Sequence, residues 1–195
     1  MKIGVLALQG DFSEHIAMLR RIDVETCEVR LPEQLEGLDG LIIPGGESTT
    51  IGKLATRYAL IEPLRRFGAE RAIWGTCAGS IFLSRDVHRD QPLLGLMDIT
   101  VQRNAFGRQV DSFETDLEVP ALDDPARPFH AVFIRAPWIE HIGPQVSVLA
   151  RVPASGADRT AIVAARQGRL LATSFHPELT GDDRFHRYFL QMSQA

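Results

Sequence analysis

Lysine and cysteine are scarce in this 195-residue sequence, and both shortages limit its chemistry. The only lysines are Lys2 and Lys53, so a reaction that forms an imine on a buried lysine has almost no candidate residue. The two cysteines, Cys27 and Cys77, allow at most one disulfide, and we expect both to be free thiols in a reducing compartment. We expect Cys27, in a strand-like segment, to fill the core.

Long apolar runs, basic blocks and a signal peptide are also missing. No segment has the roughly 20 apolar residues of a membrane-spanning helix, so we expect no membrane insertion. With a net charge of −4 and no basic cluster, we expect no nucleic-acid partner. The chain enters a strand-like run without the regions of a signal peptide, which favours a cytoplasmic location. Its length suits one good-sized core, so residues 1–195 are expected to form a single domain.

Strand and helix patterns alternate in the first part of the chain. Buried strands are predicted at residues 3–8, 26–30 and 41–43, and amphipathic helices, capped by Ser or Thr, at residues 13–22 and 51–60. This alternation predicts an α/β fold of three layers, with helices on both faces of a mostly parallel central sheet.

After residue 90 the pattern changes to short β-like segments, several of them expected to be antiparallel. They are predicted at residues 98–102, 116–119, 131–134, 146–152, 161–165 and 170–174, with a hairpin turn at Gln167 and Gly168. A closing helix is predicted at residues 182–192, and its aromatic side chains are expected to pack in the core.

The segment GTCAG at residues 75–79 lies between a short apolar strand and a predicted helix. This is the layout of a nucleophile elbow with Cys77 in the place of a serine. Gly75 and Gly79 would let the strand and the helix pack closely while the cysteine occupies a strained turn. The positive end of the helix would favour the thiolate. The alternative is a buried structural cysteine in an ordinary turn.

A base for this cysteine is available in the segment SFHPE at residues 174–178. His176 would exchange a proton with the sulfur and the leaving group, and Glu178 would hold the imidazole in one tautomer. Because residues two apart in extended backbone face the same side, Glu178 is expected to reach the His176 ring. The alternative is a histidine and a carboxylate in a surface turn.

Acyl transfer also needs N–H donors for the developing oxyanion. The amide of Ala78, directly after the nucleophile, is one candidate. Gly46 is the second, because the Gly45-Gly46 pair lets the backbone approach a ligand and a helix begins directly afterwards. The alternative for this pair is a turn without a ligand. The loop lacks the lysine and the pattern of a phosphate-binding loop, which disfavours nucleotide binding.

The other histidines are weaker candidates. We expect His15, His88 and His186 on solvated faces, whereas His130 and His141 flank the segment FIRAP and could line a cleft. No histidine pair has metal-ligand spacing and the cysteines form no CxxC unit, so we expect no metal site and no cofactor.

The elbow GTCAG and the distant segment HPE together resemble the class I, triad-type glutamine amidotransferases, whose glutaminase domain releases ammonia from glutamine. Four further segments make the chain similar to the glutaminase subunits of pyridoxal 5'-phosphate synthase. These segments are LQGD at 8–11, PGGEST at 44–49, QRNAFGRQ at 102–109 and FIRAP at 133–137. The resemblance covers nearly the whole chain, and the loops at 123–128 and 154–159 carry none of its motifs.

The resemblance implies a role for each matching residue. Cys77 would be the nucleophile, His176 the general acid and base, and Glu178 its orienting partner. The amides of Gly46 and Ala78 would form the oxyanion hole. The substrate L-glutamine would be bound by Gly46, Glu47, Ser48, Arg103, Ile134 and Arg135.

The resemblance also implies a partner. Ammonia would pass through a channel to a separate synthase subunit, which joins it to a pentose phosphate and a triose phosphate. The shortage of lysine fits this arrangement, because the imine chemistry would belong to the partner. Gln9 is expected in an oxyanion region that is sensitive to the partner.

Three other functions stay open. The nearest is a glutaminase subunit of another synthase, such as imidazole glycerol phosphate synthase, although the segments AFGRQ and FIRAP argue against it. A hydrolase or stress protein of the related cysteine-elbow group would lack the HPE ending. A non-catalytic binding subunit would keep the fold, but the intact set of catalytic residues disfavours it.

Overall fold

The computed structural model describes residues 1–103, 112–153 and 160–194. The strands are β1 Lys2–Leu6, β2 Glu25–Val29, β3 Gly40–Ile43, β4 Ala72–Thr76, β5 Ser84–Asp86, β6 Met97–Gln102, β7 Ser112–Leu117, β8 Phe129–Ile134, β9 Trp138–Ile142, β10 Ser147–Pro153, β11 Thr160–Gln167 and β12 Leu170–Thr173. The helices are α1 Phe12–Arg21, α2 Ser48–Arg57, α3 Ile61–Glu70, α4 Ala78–Leu83 and α5 Arg184–Gln194, with 3-10 turns at Pro32–Leu35 and Pro177–Leu179.

Ten of these strands form one mixed sheet in the order β2-β1-β3-β4-β12-β11-β9-β6-β5, with β10 paired to β11, while β7 and β8 pair separately. The five strands from β2 to β12 are parallel. From β12 onward the pairs with β11, β9 and β6 are antiparallel. The predicted α/β fold, parallel first and antiparallel toward the C-terminal half, is therefore confirmed.

Two apolar clusters cover the two faces of the sheet. One cluster packs α2, α3 and α4 against the sheet through residues such as Ile51, Leu64 and Phe82. The other packs α1 and α5 against the opposite face through residues such as Leu19 and Phe185. Because both faces are covered, every residue of β3 is buried, as expected for a central parallel strand. The three predicted layers are thus present.

The closing helix α5 packs its aromatic stripe in the core, as predicted. Phe185 and Phe189 are fully buried, and their ring centroids lie 6.3 Å and 5.7 Å from that of Trp74. The predicted turn between β11 and β12 is also present, and Gly168 adopts a φ of 56° there.

Several local predictions were wrong or incomplete. The elements α3 and β9 were not predicted. Ser13 does not cap α1, because it lies inside the helix and its hydroxyl donates to Glu14 at 2.8 Å. Helix α2 begins at Ser48 after Glu47, and neither predicted cap is formed. Residues 104–109 of the QRNAFGRQ segment and the loop at 154–159 lie outside the described residues. None of the helices in the described ranges is long and apolar enough to cross a membrane.

Candidate active site

The structure contains the strand-turn-helix elbow at Cys77, between β4 and α4. The backbone of Cys77 has a φ of 46°, in the left-handed region that is strained for a residue with a side chain. A Cβ atom on Gly75 would lie 2.5 Å from backbone atoms of Gly79, and one on Gly79 would clash with the carbonyl of Ile43. Only glycine fits at these two positions, so α4 can pack directly against β4 and β3. The amide of Cys77 donates to the carbonyl of Thr173 at 2.8 Å, which ties the elbow to β12.

Two buried residues that follow β12, His176 and Glu178, form a hydrogen-bonded pair. Glu178 Oε1 lies 2.7 Å from His176 Nδ1. Glu178 is 7% exposed and His176 is 4% exposed. The contact was predicted, but the reason was wrong, because residues 177–179 form a 3-10 turn and not an extended strand. The turn brings the carboxylate back to the ring. The amide of His176 donates to the carbonyl of Val132 at 2.9 Å and fixes this segment on β8.

The surroundings of His176 strongly favour its charged form. Burial alone would lower the pKa of His176, but hydrogen bonds with Cys77 and Glu178, and the charges of both, raise it to about 10. Burial raises the pKa of the Glu178 carboxyl, and His176 opposes this effect. At neutral pH His176 is therefore an imidazolium, held between a carboxylate on Nδ1 and the sulfur of Cys77.

The predicted site residues lie around one cleft of about 410 Å³, except Glu178, which lies behind the His176 ring. The cleft is lined by Gln9, Gly10, Asp11, Gly46, Glu47, Ser48, Cys77, Ala78, Ile81, Arg103, Ile134, Arg135, Pro137 and His176. His130 and His141 do not line this cleft, contrary to expectation. Both are exposed, and His130 contacts the carboxylates of Glu114 and Asp116.

The glycine loop after β3 approaches His176 closely. A Cβ atom on Gly45 would lie 2.5 Å from His176 Cε1, so a larger residue would displace the ring. Gly46 adopts a φ of 150°, and the next amide, that of Glu47, donates to Gln9 Oε1 at 2.6 Å. Opposite this loop, Ala78 is the first residue of α4, where the amide has no acceptor within the helix. The loop and the elbow are thus both within the lining of the cleft.

A charged pair, Glu47 and Arg103, lines the same cleft. Arg103 Nη2 lies 2.8 Å from Glu47 Oε1, and the side chain of Arg103 is only 20% exposed. Arg103 Nη1 also donates to Gln91 Oε1 at 3.4 Å. Arg135 is exposed at the cleft and has a φ of 44°. The cleft therefore offers charges of both signs, which suits a zwitterionic ligand.

Two histidines were misjudged from the sequence. His15 and His186 were expected on solvated faces, but both are fully buried. The helical spacing could have indicated their burial, because residues three or four apart share a helix face. His15 lies four residues before the buried Leu19, and His186 lies three residues before the buried Phe189. Asp11 was also missed as a site residue, and its Oδ2 lies 3.5 Å from His176 Nδ1.

Asp11, His176 and Glu178 also form a compact set of ligand-type atoms, all within 4.8 Å of one another. Two of these residues are already engaged in the hydrogen bond that orients the histidine. The expected absence of a metal site stays a prediction.

Comparisons with known proteins agree with this geometry. The SNO glutamine amidotransferase family matches residues 5–195. Pyridoxal 5'-phosphate synthase subunit PdxT of Herpetosiphon aurantiacus is 60% identical, covering 97% of this chain and 99% of that protein. The subunit of the same name from Moorella thermoacetica is 57% identical, covering 98% of this chain and 99% of that protein.

Solved structures extend the similarity to the fold. A crystal structure of a glutamine amidotransferase is 52% identical and superposes with a TM-score of 0.90, covering 99% of each chain. A putative GMP synthase subunit from Thermoplasma acidophilum, 18% identical over 100% of this chain and 94% of its own, has a TM-score of 0.68 and shares the fold alone. Because the family match and the close relatives both span nearly the whole sequence, this chain belongs to the SNO glutamine amidotransferase family.

Proposed function

We propose that this chain is the glutaminase subunit of pyridoxal 5'-phosphate synthase, and that Cys77, His176 and Glu178 carry out the hydrolysis of L-glutamine to L-glutamate and ammonia. The observation that carries the proposal is the strained elbow that holds Cys77 against the imidazolium of His176, with Glu178 on the far side of the ring. This arrangement suits nucleophilic attack on an amide and protonation of the departing amine.

The first step forms a thioester. The Cys77 sulfur, as a thiolate beside His176, attacks the side-chain carbonyl carbon of glutamine, and the amides of Ala78 and Gly46 stabilise the resulting oxyanion. The tetrahedral intermediate then loses its nitrogen, and His176 donates its proton to the departing ammonia. Because Glu178 occupies Nδ1, the proton is transferred from Nε2.

The second step regenerates the enzyme. His176 is now neutral and takes a proton from a water molecule, whose oxygen attacks the thioester carbon. The carbon–sulfur bond breaks, glutamate leaves, and the thiolate and the imidazolium are restored. Throughout the cycle, Glu178 holds the ring in one orientation and stabilises its charged form.

Substrate binding uses the charged residues of the cleft. The α-carboxylate of glutamine pairs with the guanidinium groups of Arg103 and Arg135, and the α-ammonium with the carboxylate of Glu47. Arg103 Nη2 and Glu47 Oε1 lie 2.8 Å apart, so the two charges that would bind the substrate also neutralise each other. Backbone groups of Gly46, Ser48 and Ile134, which line the same cleft, complete the site.

The partner is the synthase subunit of the same enzyme complex, to which ammonia is delivered. This part of the proposal is supported by the relatives at 60% and 57% identity, which carry the name of a pyridoxal 5'-phosphate synthase subunit. A subunit of imidazole glycerol phosphate synthase is not favoured. We expect the complex to be cytoplasmic and to involve neither nucleic acid nor a membrane.

Ammonia release from glutamine, measured with and without the synthase subunit, tests the proposal. Wild-type protein is expected to release ammonia, with a higher rate when the synthase is added. Cys77→Ala should abolish release, whereas Cys27→Ala, the matched change at the other thiol, should retain it. Ammonia release by folded Cys77→Ala, or no release by wild-type protein with the synthase present, contradicts the proposed function.

A further inference from the structure

A buried polar chain continues behind the catalytic pair toward helices α1 and α5. His15 Nε2 lies 3.3 Å from Glu178 Oε2 and 3.2 Å from Thr76 Oγ1. On the other side of the ring, His15 Nδ1 lies 3.1 Å from His186 Nε2. His15, Thr76 and His186 are all fully buried. The chain His186, His15, Glu178, His176 therefore runs from α5 through α1 to the active site.

Both histidines behind Glu178 are neutral. Burial lowers the pKa of His15 well below its ordinary range, and the neighbouring His186 and His176 lower it further. Burial lowers the pKa of His186 to about 3. A neutral imidazole carries a proton on one ring nitrogen and a lone pair on the other, so each ring adopts one of two tautomers.

The carboxylate of Glu178 determines which nitrogen carries the proton in both His15 and His186. Glu178 Oε2 can only accept, it forms no hydrogen bond with the described residues, and His15 Nε2 lies 3.3 Å from it. We therefore place the N–H of His15 on Nε2, where it bonds Thr76 Oγ1 and faces the carboxylate oxygen. His15 Nδ1 then carries the lone pair and accepts a hydrogen bond from the N–H at His186 Nε2. The opposite choice would turn a lone pair toward the carboxylate. It would also bury an unpaired N–H on His186 Nδ1, which has no partner in the described part of the chain.

From this geometry we infer that His15 is a positioning residue for the hydrolysis of glutamine, acting through Glu178, and that His186 sets its tautomer. The N–H of His15 faces, at 3.3 Å, the carboxylate oxygen that His176 does not use, and its dipole favours the ionised form of Glu178. His15 does not line the cleft and makes no contact with the substrate. The inference rests on the function proposed above.

The effect can be separated from the other charges near the carboxyl group. The titratable groups that act on Glu178 are His176 and Asp11, together with His15 on the opposite side. His186 is affected in turn by Asp183 and Arg21. Asp11, His176, Asp183 and Arg21 are all retained when His15 is replaced. Loss of the His15 N–H therefore leaves the carboxylate less stabilised, and Glu178 protonates at a higher pH.

The test compares His15→Phe and His15→Gln with wild-type protein in the complex with the synthase subunit. For His15→Phe, we expect kcat to fall roughly 10-fold, because the ionised Glu178 loses the polar group that faces its second oxygen. The acid limb of the pH profile should move up by about one pH unit or more, with little change in KM for glutamine. His15→Gln keeps an N–H near the same position and should restore part of both effects.

A control separates positioning from packing. Phe189→Leu removes apolar volume from the same core without touching the polar chain, so it should lower stability and leave the acid limb unchanged. If folded His15→Phe has the acid limb of wild-type protein, the inference is wrong. If wild-type protein itself releases no ammonia, it is the proposed function that fails.

NMR of wild-type protein with nitrogen-labelled histidine provides a second measurement that needs no folded His15→Phe. We expect His15 and His186 to carry their single proton on Nε2 at neutral pH. A proton on His15 Nδ1 would overturn the inference.

Discussion

The buried His186 makes stability depend on pH in a way that can be measured directly. The folded chain protonates His186 only near pH 3, whereas an exposed histidine in the unfolded chain does so near 6.5. Between these values the unfolded chain binds the extra proton, so the free energy of unfolding falls as the pH falls below 6.5. Each pH unit costs about 1.4 kcal/mol, so this side chain lowers the free energy of unfolding by about 2 kcal/mol between about pH 7 and about pH 5.

The substitution His186→Phe removes this contribution and keeps the ring volume beside Trp74, whose centroid lies 5.0 Å away. The variant loses the hydrogen bond to His15, so we expect it to be less stable at neutral pH. The difference in the free energy of unfolding between the two proteins should change by about 2 kcal/mol in favour of the variant between neutral pH and about pH 5. Only wild-type protein loses stability there, because its folded state keeps His186 neutral. Shifts at His176, Asp11 and other groups are common to both proteins and largely cancel.

Urea unfolding at a series of pH values, followed by tryptophan fluorescence, gives the free energy of unfolding of both proteins. The quantity that matters is the difference between them at each pH. A difference that stays constant from neutral pH to about pH 5 would refute the reasoning, because it would mean that folded His186 titrates like an exposed histidine.

Three further changes test packing and substrate binding. Gly79→Ala should lower the free energy of unfolding by about 2–4 kcal/mol, because the added Cβ would clash with the carbonyl of Ile43. A variant that is as stable as wild-type protein in urea unfolding would contradict this. Arg184→Lys should lower the free energy of unfolding by about 2–4 kcal/mol in the same assay. A single ammonium group cannot replace a buried guanidinium that bonds Asp182 and several loop carbonyls. A loss smaller than about 1 kcal/mol would contradict this reasoning. Arg103→Lys should raise KM for glutamine roughly tenfold, and an unchanged KM would remove Arg103 from the binding site.

Much of the fold could be predicted because its signals are local. The parallel half follows from short apolar runs that end at glycine-rich turns, and the elbow from two glycines on either side of Cys77. Helix α3 was missed because Pro63 and Gly68 interrupt its pattern. Strand β9 was missed because three of its five residues are exposed.

The buried histidines show where reasoning from sequence ends. His15 and His186 are 171 positions apart, and only the packing of α1 and α5 on the same face of the sheet brings their rings within 3.1 Å. Neither short segment indicates a partner. The contact between His176 and Glu178 was predicted from the segment itself, although through the wrong backbone geometry, because a 3-10 turn and a strand can both bring residues two apart together.

The central claim is that the sulfur of Cys77 attacks the side-chain carbon of glutamine. Cys27 provides an internal comparison, since it is a free thiol on β2, away from the cleft. Both thiols can be exposed to a diazoketone analogue of glutamine in the presence of the synthase subunit, and the modified residue identified by mass spectrometry. We predict one adduct per chain, on Cys77, and protection by excess glutamine. An unmodified Cys77, or modification of Cys27 alone, would contradict the account.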